Sequence, residues 1–389
     1  MDEKAFPLTG YVLNKSGIYL DDGRFEIQRN TLYLSYDSHT PLNLHFDLRN
    51  RYQSLLTPSP EYQAEIRNLS VGHRYSKWSW LFGRQFVTWG KADGFRLLDV
   101  VNAYDYTEFV LDDMNEAKRP LTMLRLDYCK DDNDGFQVLL MPEYLGDLLP
   151  PKGSQFNPFP TVLPWVEPNQ TNNPAWSSPS NWQYGFKYEH TQDTISYTLN
   201  YLNKWSSQPL YDINYAQPLY ILAHPVREQL VGGSLDVSWQ SYVFRSELAY
   251  YPEKQLPIRN PLGFLEYRSF SSYGTVIGVD RLIGEWFVSL QVFYTKFVNN
   301  AFDPVFGPMQ RTFTCLVMRS FLQDKLRFRL FMAYDETNSG VWSEPTITYD
   351  MGSGIETTLG FDQFKGSKNS LFGRYSDNSR AYLLLRWTF

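Results

Sequence analysis

Strand-like segments with a two-residue hydrophobic period follow one another from end to end of this 389-residue chain, and the connections between them alternate in length. The segments fall at 8–20, 24–37, 41–55, 61–75, 78–89, 119–129, 135–143, 182–190 and 194–205. They continue at 228–240, 242–252, 272–282, 285–297, 311–322, 325–335, 340–350, 355–364 and 378–389. From the fourth segment onward, short turns such as Ser76-Lys77, Gln240-Ser241, Ile283-Gly284 and Gln323-Asp324 alternate with mostly longer loops at 90–118, 144–181, 206–227, 253–271 and 298–310. A β-sandwich has no reason to keep such parity through successive hairpins. A transmembrane antiparallel β-barrel of about 18 strands does, with short periplasmic turns and long extracellular loops. An even strand count also places both termini at the short-turn end.

The two faces of the segments support the same reading. Leu42, Leu44, Phe46 and Leu48 alternate with Asn43, His45, Asp47 and Arg49, and Leu326, Phe328, Leu330, Met332 and Tyr334 alternate with Arg327 and Arg329. Apolar residues on one face suit lipid, and arginines and carboxylates on the other suit a hydrated lumen. Some segments are ambiguous: from Trp78 to Trp89 no phase separates the two sets, which predicts a bulge or a crowded lumen. An aromatic content of 17% fits rings placed at the membrane interfaces, although an aromatic-rich sandwich or carbohydrate-binding β-protein shares that composition. No run of about eighteen apolar residues occurs, so no transmembrane helix is expected.

The last residues, Ala381 to Phe389, form an amphipathic segment with Ala381, Leu383, Leu385, Trp387 and Phe389 on one face. A terminal Phe in such a strand resembles the signal read by the barrel-assembly machinery of Gram-negative outer membranes. The start, MDEKAFPLTG, has neither a basic region nor an apolar core, so the numbering is expected to begin after a removed signal peptide. Cys129 and Cys315 lie in separate segments and no disulfide is expected between them. No haem or zinc spacing is present, and a formal charge of -6 argues against nucleic acid. One domain, 1–389, is expected, without cofactor or metal.

The loop at 90–118 concentrates charge in Lys91, Asp93, Arg96, Asp99, Asp105, Asp112, Asp113, Glu116 and Lys118, yet it also carries Leu97-Leu98 and Val100-Val101. A loop with both properties is expected to fold back against the lumen wall and narrow a pore, where its fixed charges would select solutes. The plainer alternative is a self-packed surface loop whose Asp and Arg side chains cap turns. Adjacent residues of an extended segment point apart, so Asp112-Asp113 does not read as a catalytic or calcium pair. The second long loop, 144–181, is rich in proline (Pro150, Pro151, Pro158, Pro160, Pro164, Pro168, Pro174 and Pro179), with Trp165 and Trp176. It is expected to be a stiff extracellular cover, with an extracellular lid or ligand-docking surface as the alternative. Loop 206–227, with Tyr211, Tyr215 and Tyr220, reads equally as a lid or a sugar-stacking surface.

Strand phase assigns mixed charge to the lumen: His45, Arg49, Arg51, Arg125, Lys204, Arg245, Arg327, Arg329 and Arg386 against Asp47, Asp127, Asp236, Glu247, Glu356 and Asp362. Most are expected to pair across strands. Arg327 and Arg329, two cations on one face without an evident local partner, form with Arg49 the candidate basic patch.

One stretch resembles a known family. Gly83-Arg84-Gln85, Trp89-Gly90-Lys91-Ala92-Asp93-Gly94, Arg96, Asp99-Val100-Val101-Asn102, Asp105 and Phe109 are similar to a motif of a proteobacterial outer-membrane family of unassigned function. That family is distantly similar to alginate-export porins, which also carry a GRQ strand. Ala103 departs from the proline usual in the motif. The resemblance spans about 83–119 and implies a passive outer-membrane conduit, with Arg84 added to the constriction set. In some genomes such barrels accompany exporters of hydrophobic compounds, so the cargo need not be a sugar or ion.

Three functions fit these observations: a channel for a small or hydrophobic solute, a scaffold sheathing a multihaem cytochrome or lipoprotein, and a barrel enzyme. The five histidines form no arrangement with Ser and Asp that favours the enzyme. The partners expected are outer-membrane lipid and lipopolysaccharide, the assembly machinery, a small solute, and a periplasmic exporter, lipoprotein or cytochrome.

Overall fold

The computed structural model describes residues 8–38, 42–56, 59–151, 153–157, 170–214, 220–261, 263 and 265–389. Eighteen antiparallel strands make one closed sheet. In chain order they are β1 Leu8–Tyr19, β2 Phe25–Ser38, β3 Asn43–Ser54, β4 Glu61–Tyr75, β5 Trp78–Gln85, β6 Leu121–Cys129, β7 Asp134–Met141, β8 Gln183–Gln192 and β9 Ile195–Trp205. The remainder are β10 Arg227–Trp239, β11 Tyr242–Arg259, β12 Leu265–Ile283, β13 Trp286–Val298, β14 Met309–Phe321, β15 Leu326–Asp335, β16 Gly340–Gly352, β17 Ile355–Gly366 and β18 Arg380–Thr388. Each strand pairs with its sequence neighbours, and β1 closes the barrel on β18 from Tyr11↔Thr388 to Tyr19↔Arg380. Closure leaves no edge with unpaired backbone groups, which is what allows a sheet to sit in hydrocarbon.

The alternation read from the sequence sets the two faces. Leu199, Leu248, Ile277 and Leu290 are exposed on the outside, whereas Thr198, Glu247, Gln291 and Ser289 are buried inside. Rings gather at the short-turn end: Trp78 meets Tyr128, Tyr128 meets Phe136, Phe136 meets Tyr188, and Trp387 meets Phe389 at 5.1 Å. Tyr184–Tyr201 and Tyr250–Tyr273 sit toward the opposite end. Two such belts, with apolar wall between them, match the two interfaces of a bilayer. Two-residue turns such as 76–77 and 240–241 use positive φ at Ser76 and Gln240, a conformation that fits strand twist.

Three differences from the sequence reading alter the architecture. β5 stops at Gln85 rather than Trp89, because Val87 and Trp89 pack into a core inside the barrel and the chain there leaves the wall. The supposed loop 253–271 is mostly strand: β11 and β12 pair out to Arg259↔Leu265 after an irregularity at Tyr251/Lys254. Their projecting arm rests on a small core of Leu256, Ile258, Phe270 and Phe297. Loop 206–226 contains the hairpin Leu210–Asn214 with Tyr220–His224, and Gln170–Thr171 adds to it in parallel, tying two long loops together. Pro158, Pro160, Pro164, Trp165, Pro168 and Tyr215 lie outside the described residues. Cys129 and Cys315 are free thiols.

Candidate functional site

The connection from β5 to β6, residues 86–120, enters the barrel and crosses it. Its sequence explains the path, because apolar residues punctuate a charged segment and both kinds find partners inside. On one side Val87, Trp89, Leu98 and Val101 join Leu121, Met123, Leu139, Met141, Leu202, Leu230 and Ala249 of β6, β7 and β9–β11 in a dry core. On the other side Phe95, Phe109 and Leu111 pack with Ile27, Phe331, Trp342 and Phe364 of the wall. Phe156 from the second long loop and Phe372 and Tyr375 from the β17–β18 loop complete this second core. Wall glycines make the fit. A Cβ on Gly274 would lie 2.4 Å from Leu97, one on Gly232 2.5 Å from Leu98, and one on Gly185 2.7 Å from Trp89. Gly94, at φ 79°, sits against the Phe331 ring, where a Cβ would approach to 2.2 Å.

Polar contacts lock the same path. Asn102 is fully buried, accepting from the Val87 amide at 2.9 Å and donating to the Arg119 carbonyl at 2.9 Å, so it clasps the two ends of the loop. The Glu247 carboxylate accepts from the amides of Lys91, Ala92 and Leu98. A short helix, α1 Met114–Ala117, is capped by Asp113 and directs Glu116 to Arg49 at 3.1 Å and to the Tyr11 hydroxyl at 2.7 Å. Arg67 donates to the Asn115 and Lys118 carbonyls at the end of that helix.

Charge balance gives the strongest reason for this seat. One ion-pair network on the wall of β1–β4, β17 and β18 holds six cations, Lys15, Arg29, Arg49, Arg51, Arg67 and Arg380, against three wall carboxylates, Glu26, Glu65 and Asp362. The loop supplies three more: Glu108 to Lys15, Arg29 and Arg380, Asp112 to Arg29 and Arg51, and Glu116 to Arg49 and Arg51. Arg380 and Glu26 have no exposed side-chain surface, and a buried cation left unpaired there is costly. The docked loop therefore neutralises the wall. Burial raises the Glu108 carboxyl, but Arg29, Lys15 and Arg380 outweigh it and hold the group well below the usual carboxylate range.

Beside the docked loop remains a cavity of about 870 Å³, bounded by the loop on one side and by β1–β3 and β14–β18 on the other. Its lining is mixed: Arg327, Arg329, Glu356 and Arg386 of the wall and Asp93, Arg96, Asp99 and Asp112 of the loop stand beside Leu13, Leu316 and Leu384.

A family model described as "Protein of unknown function (DUF1302)" matches residues 67–363. The chain belongs to this family. No curated protein matches it in sequence. Among solved structures, OccK1 (OpdK) of Pseudomonas aeruginosa is similar with a TM-score of 0.54 at 11% identity, over 98% of each chain. OccD3 (OpdP) of the same organism gives 0.52 at 11% identity, over 98% of this chain and 91% of that one. OmpT, an outer membrane protein of Vibrio cholerae, gives 0.50 at 10% identity, over 98% of both. These likenesses place the DUF1302 chain in the outer-membrane porin fold.

Within this DUF1302 barrel the residues singled out from sequence separate into groups. Asp93, Arg96, Asp99, Asp112 and Asp113 line the cavity. Asp93 accepts from Gln291, Arg96 stacks 3.8 Å from the Tyr104 ring centroid, and Asp99 pairs with Lys118 at 2.7 Å. Lys91 instead reaches the wall, where it pairs with Asp236. Asp105 holds a turn by accepting from the Thr107 amide and hydroxyl. Arg84 is not a pore residue: it pairs across from outward-facing Leu69, and its guanidinium meets Glu143 at 3.2 Å. The basic patch also needs correction. Arg327 bonds Glu356 at 2.5 Å, Arg329 bonds Glu344 at 2.5 Å, and Arg49 lies between Glu65 and Glu116, because each faces a carboxylate on a neighbouring strand or on the loop. Sequence reading missed Glu108, Lys15, Arg29 and Arg380. Strand parity identifies Lys15 and Arg29 as inward, but nothing local marks Glu108, set among Tyr106, Thr107, Phe109 and Val110.

Proposed function

We propose that this protein is a passive outer-membrane channel whose lumen is narrowed by the in-folded segment 86–120. Solute would pass through the gap between that segment and the wall of β14–β18. The observation that carries this reading is the cavity of about 870 Å³, lined by charged side chains within a closed barrel. A loop seated by charge complementarity and by notches in the wall is a built constriction, and charged side chains at a narrowing discriminate among solutes. Sheathing a separate protein would require a clear bore, whereas here the half toward the long loops holds two dry cores made by the chain's own loops. Asp93, Arg96, Asp99 and Asp112 are the loop residues proposed to set selectivity.

Purified protein in planar lipid bilayers is expected to give stepwise conductance, and deletion of 92–116 to raise the step size severalfold. A barrel that stays silent in both forms would defeat the channel reading.

A further inference from the structure

The lipid-facing side of β12–β16 carries a groove of about 760 Å³. Short side chains, Val279, Val292 and Cys315, make its floor and are half-buried. Their cross-strand and same-strand neighbours are larger and stand above them: Ile277 is 63% exposed, Leu290 49% and Phe313 39%. Met332 and Tyr334 of β15 close one side and Phe244 of β11 the other. In a bilayer this surface meets hydrocarbon, and an apolar channel between side chains is filled by an acyl chain.

The strands that form the groove carry cations where they leave the membrane at the long-loop end. Arg311 lies two residues beyond Phe313 on β14, and Lys296 four beyond Val292 on β13, both in the outward phase. At about 3.4 Å per residue they stand roughly 7 and 14 Å above the groove. Lys296 pairs across from Tyr273, which packs on Tyr250, so it sits at the outer aromatic belt. Lys365 of β17, also outward, is the cross-strand neighbour of the groove residue Val341. Arg311 donates through Nη1 to Glu336 at 3.0 Å, whereas Lys296 and Lys365 make no ion pair or hydrogen bond among the described residues. At the short-turn end the outward cations are engaged: Arg319 pairs with Glu285, and Arg281 lies over the Tyr242 ring at 4.5 Å. The unmatched positive charge is therefore at the outer rim.

We infer that this face binds the phosphorylated glycolipid of the outer leaflet, with a headgroup phosphate on Lys296 and Arg311 and an acyl chain in the groove. Ammonium and guanidinium groups form charge-assisted hydrogen bonds to phosphate, and basic residues at a membrane surface attract anionic lipid. A neutral lipid would leave the cations unmatched, and a second copy of the same face would bring like charges together. The inference is independent of conduction through the lumen.

Protein extracted from outer membranes in mild detergent is to be weighed by native mass spectrometry, with heat-modifiable gel migration confirming that each variant forms its barrel. Wild type is expected to retain lipopolysaccharide. K296Q should weaken retention about tenfold, and K296R should recover most of the loss. V292F fills the floor with every cation in place and should also release the lipid. R281Q, at the other end of the groove, should change nothing. Delipidated wild type should bind bis-phosphorylated lipid A about tenfold more tightly than the same lipid A stripped of phosphate. Retention unchanged in both K296Q and V292F would overturn the inference. Loss on R281Q with K296Q silent would do the same, by giving the groove to a phospholipid of the inner leaflet. An oligomer abolished by V292F, in place of bound lipid, would overturn it in favour of a second copy.

Discussion

Between the guanidinium groups of Arg29 and Arg380 and the ammonium of Lys15, Glu108 is a carboxylate almost wholly withdrawn from solvent. Replacing it by Gln removes one of the three negative charges that the loop brings to a wall with three cations in excess. Loss of a partner from a buried ionic network costs about 3–5 kcal/mol. Glu108→Gln is therefore expected to unseat that end of the loop, seen as noisy, enlarged conductance steps and faster proteolysis within 104–118. Asp113→Asn, at an exposed cap, should change neither by more than about 1 kcal/mol equivalent. At this scale the sequence is informative only for residues inside a periodic strand. Arg327 and Arg386 were assigned to the lumen from alternation alone, whereas the pairing of Arg327 with Glu356 depends on which strands lie side by side. Arg84 entered the constriction set through the family resemblance, whereas strand phase, with Trp80 and Phe82 facing outward, turns it outward too.

The loop is positioned by elements that look ordinary in isolation. Gly185, Gly232 and Gly274 sit in three different strands, and each leaves room for a loop side chain. Gly274→Val places two methyl groups where Leu97 now packs, and overpacking of this kind costs about 1–3 kcal/mol. The barrel should still assemble, with heat-modifiable migration on gels, but the loop should be displaced from that wall and the conductance altered. Leu97→Ala in the same chain should restore the original step, since the two changes share one contact. A glycine within a strand reads from sequence as a bulge or a close approach, and the identity of the approaching residue is set some 180 positions away in the chain.

Across the whole molecule, the loop and wall behave as one electrostatic unit. Burial raises Glu108, Asp112 and Glu116, but Arg29 with Lys15, Arg29 with Arg51, and the Tyr11 hydroxyl with Arg49 respectively outweigh it, and each carboxyl is lowered. A carboxyl with a depressed docked-state pKa contributes its full stabilisation above its undocked value of about 4, and loses it as pH falls through the docked value. Conductance should therefore be flat from pH 8 to 5 and change only below about pH 4. An opening midpoint near pH 6 would show that other groups hold the loop.

Strand number, the direction of each strand's faces, the parity of turns and loops, and the presence of one charged, partly apolar segment unlike the other loops were all determined by the sequence. Each is a local property: a period of two, a turn length, a composition. The tertiary structure alone decided how that segment sits, because its anchors are a charge deficit summed over six strands and three glycine notches brought together only when the barrel closes. It likewise left Arg386 without an ion pair among the described residues. Arg386 faces a carboxylate that a neighbouring strand has already claimed, and such competition exists only between strands in register.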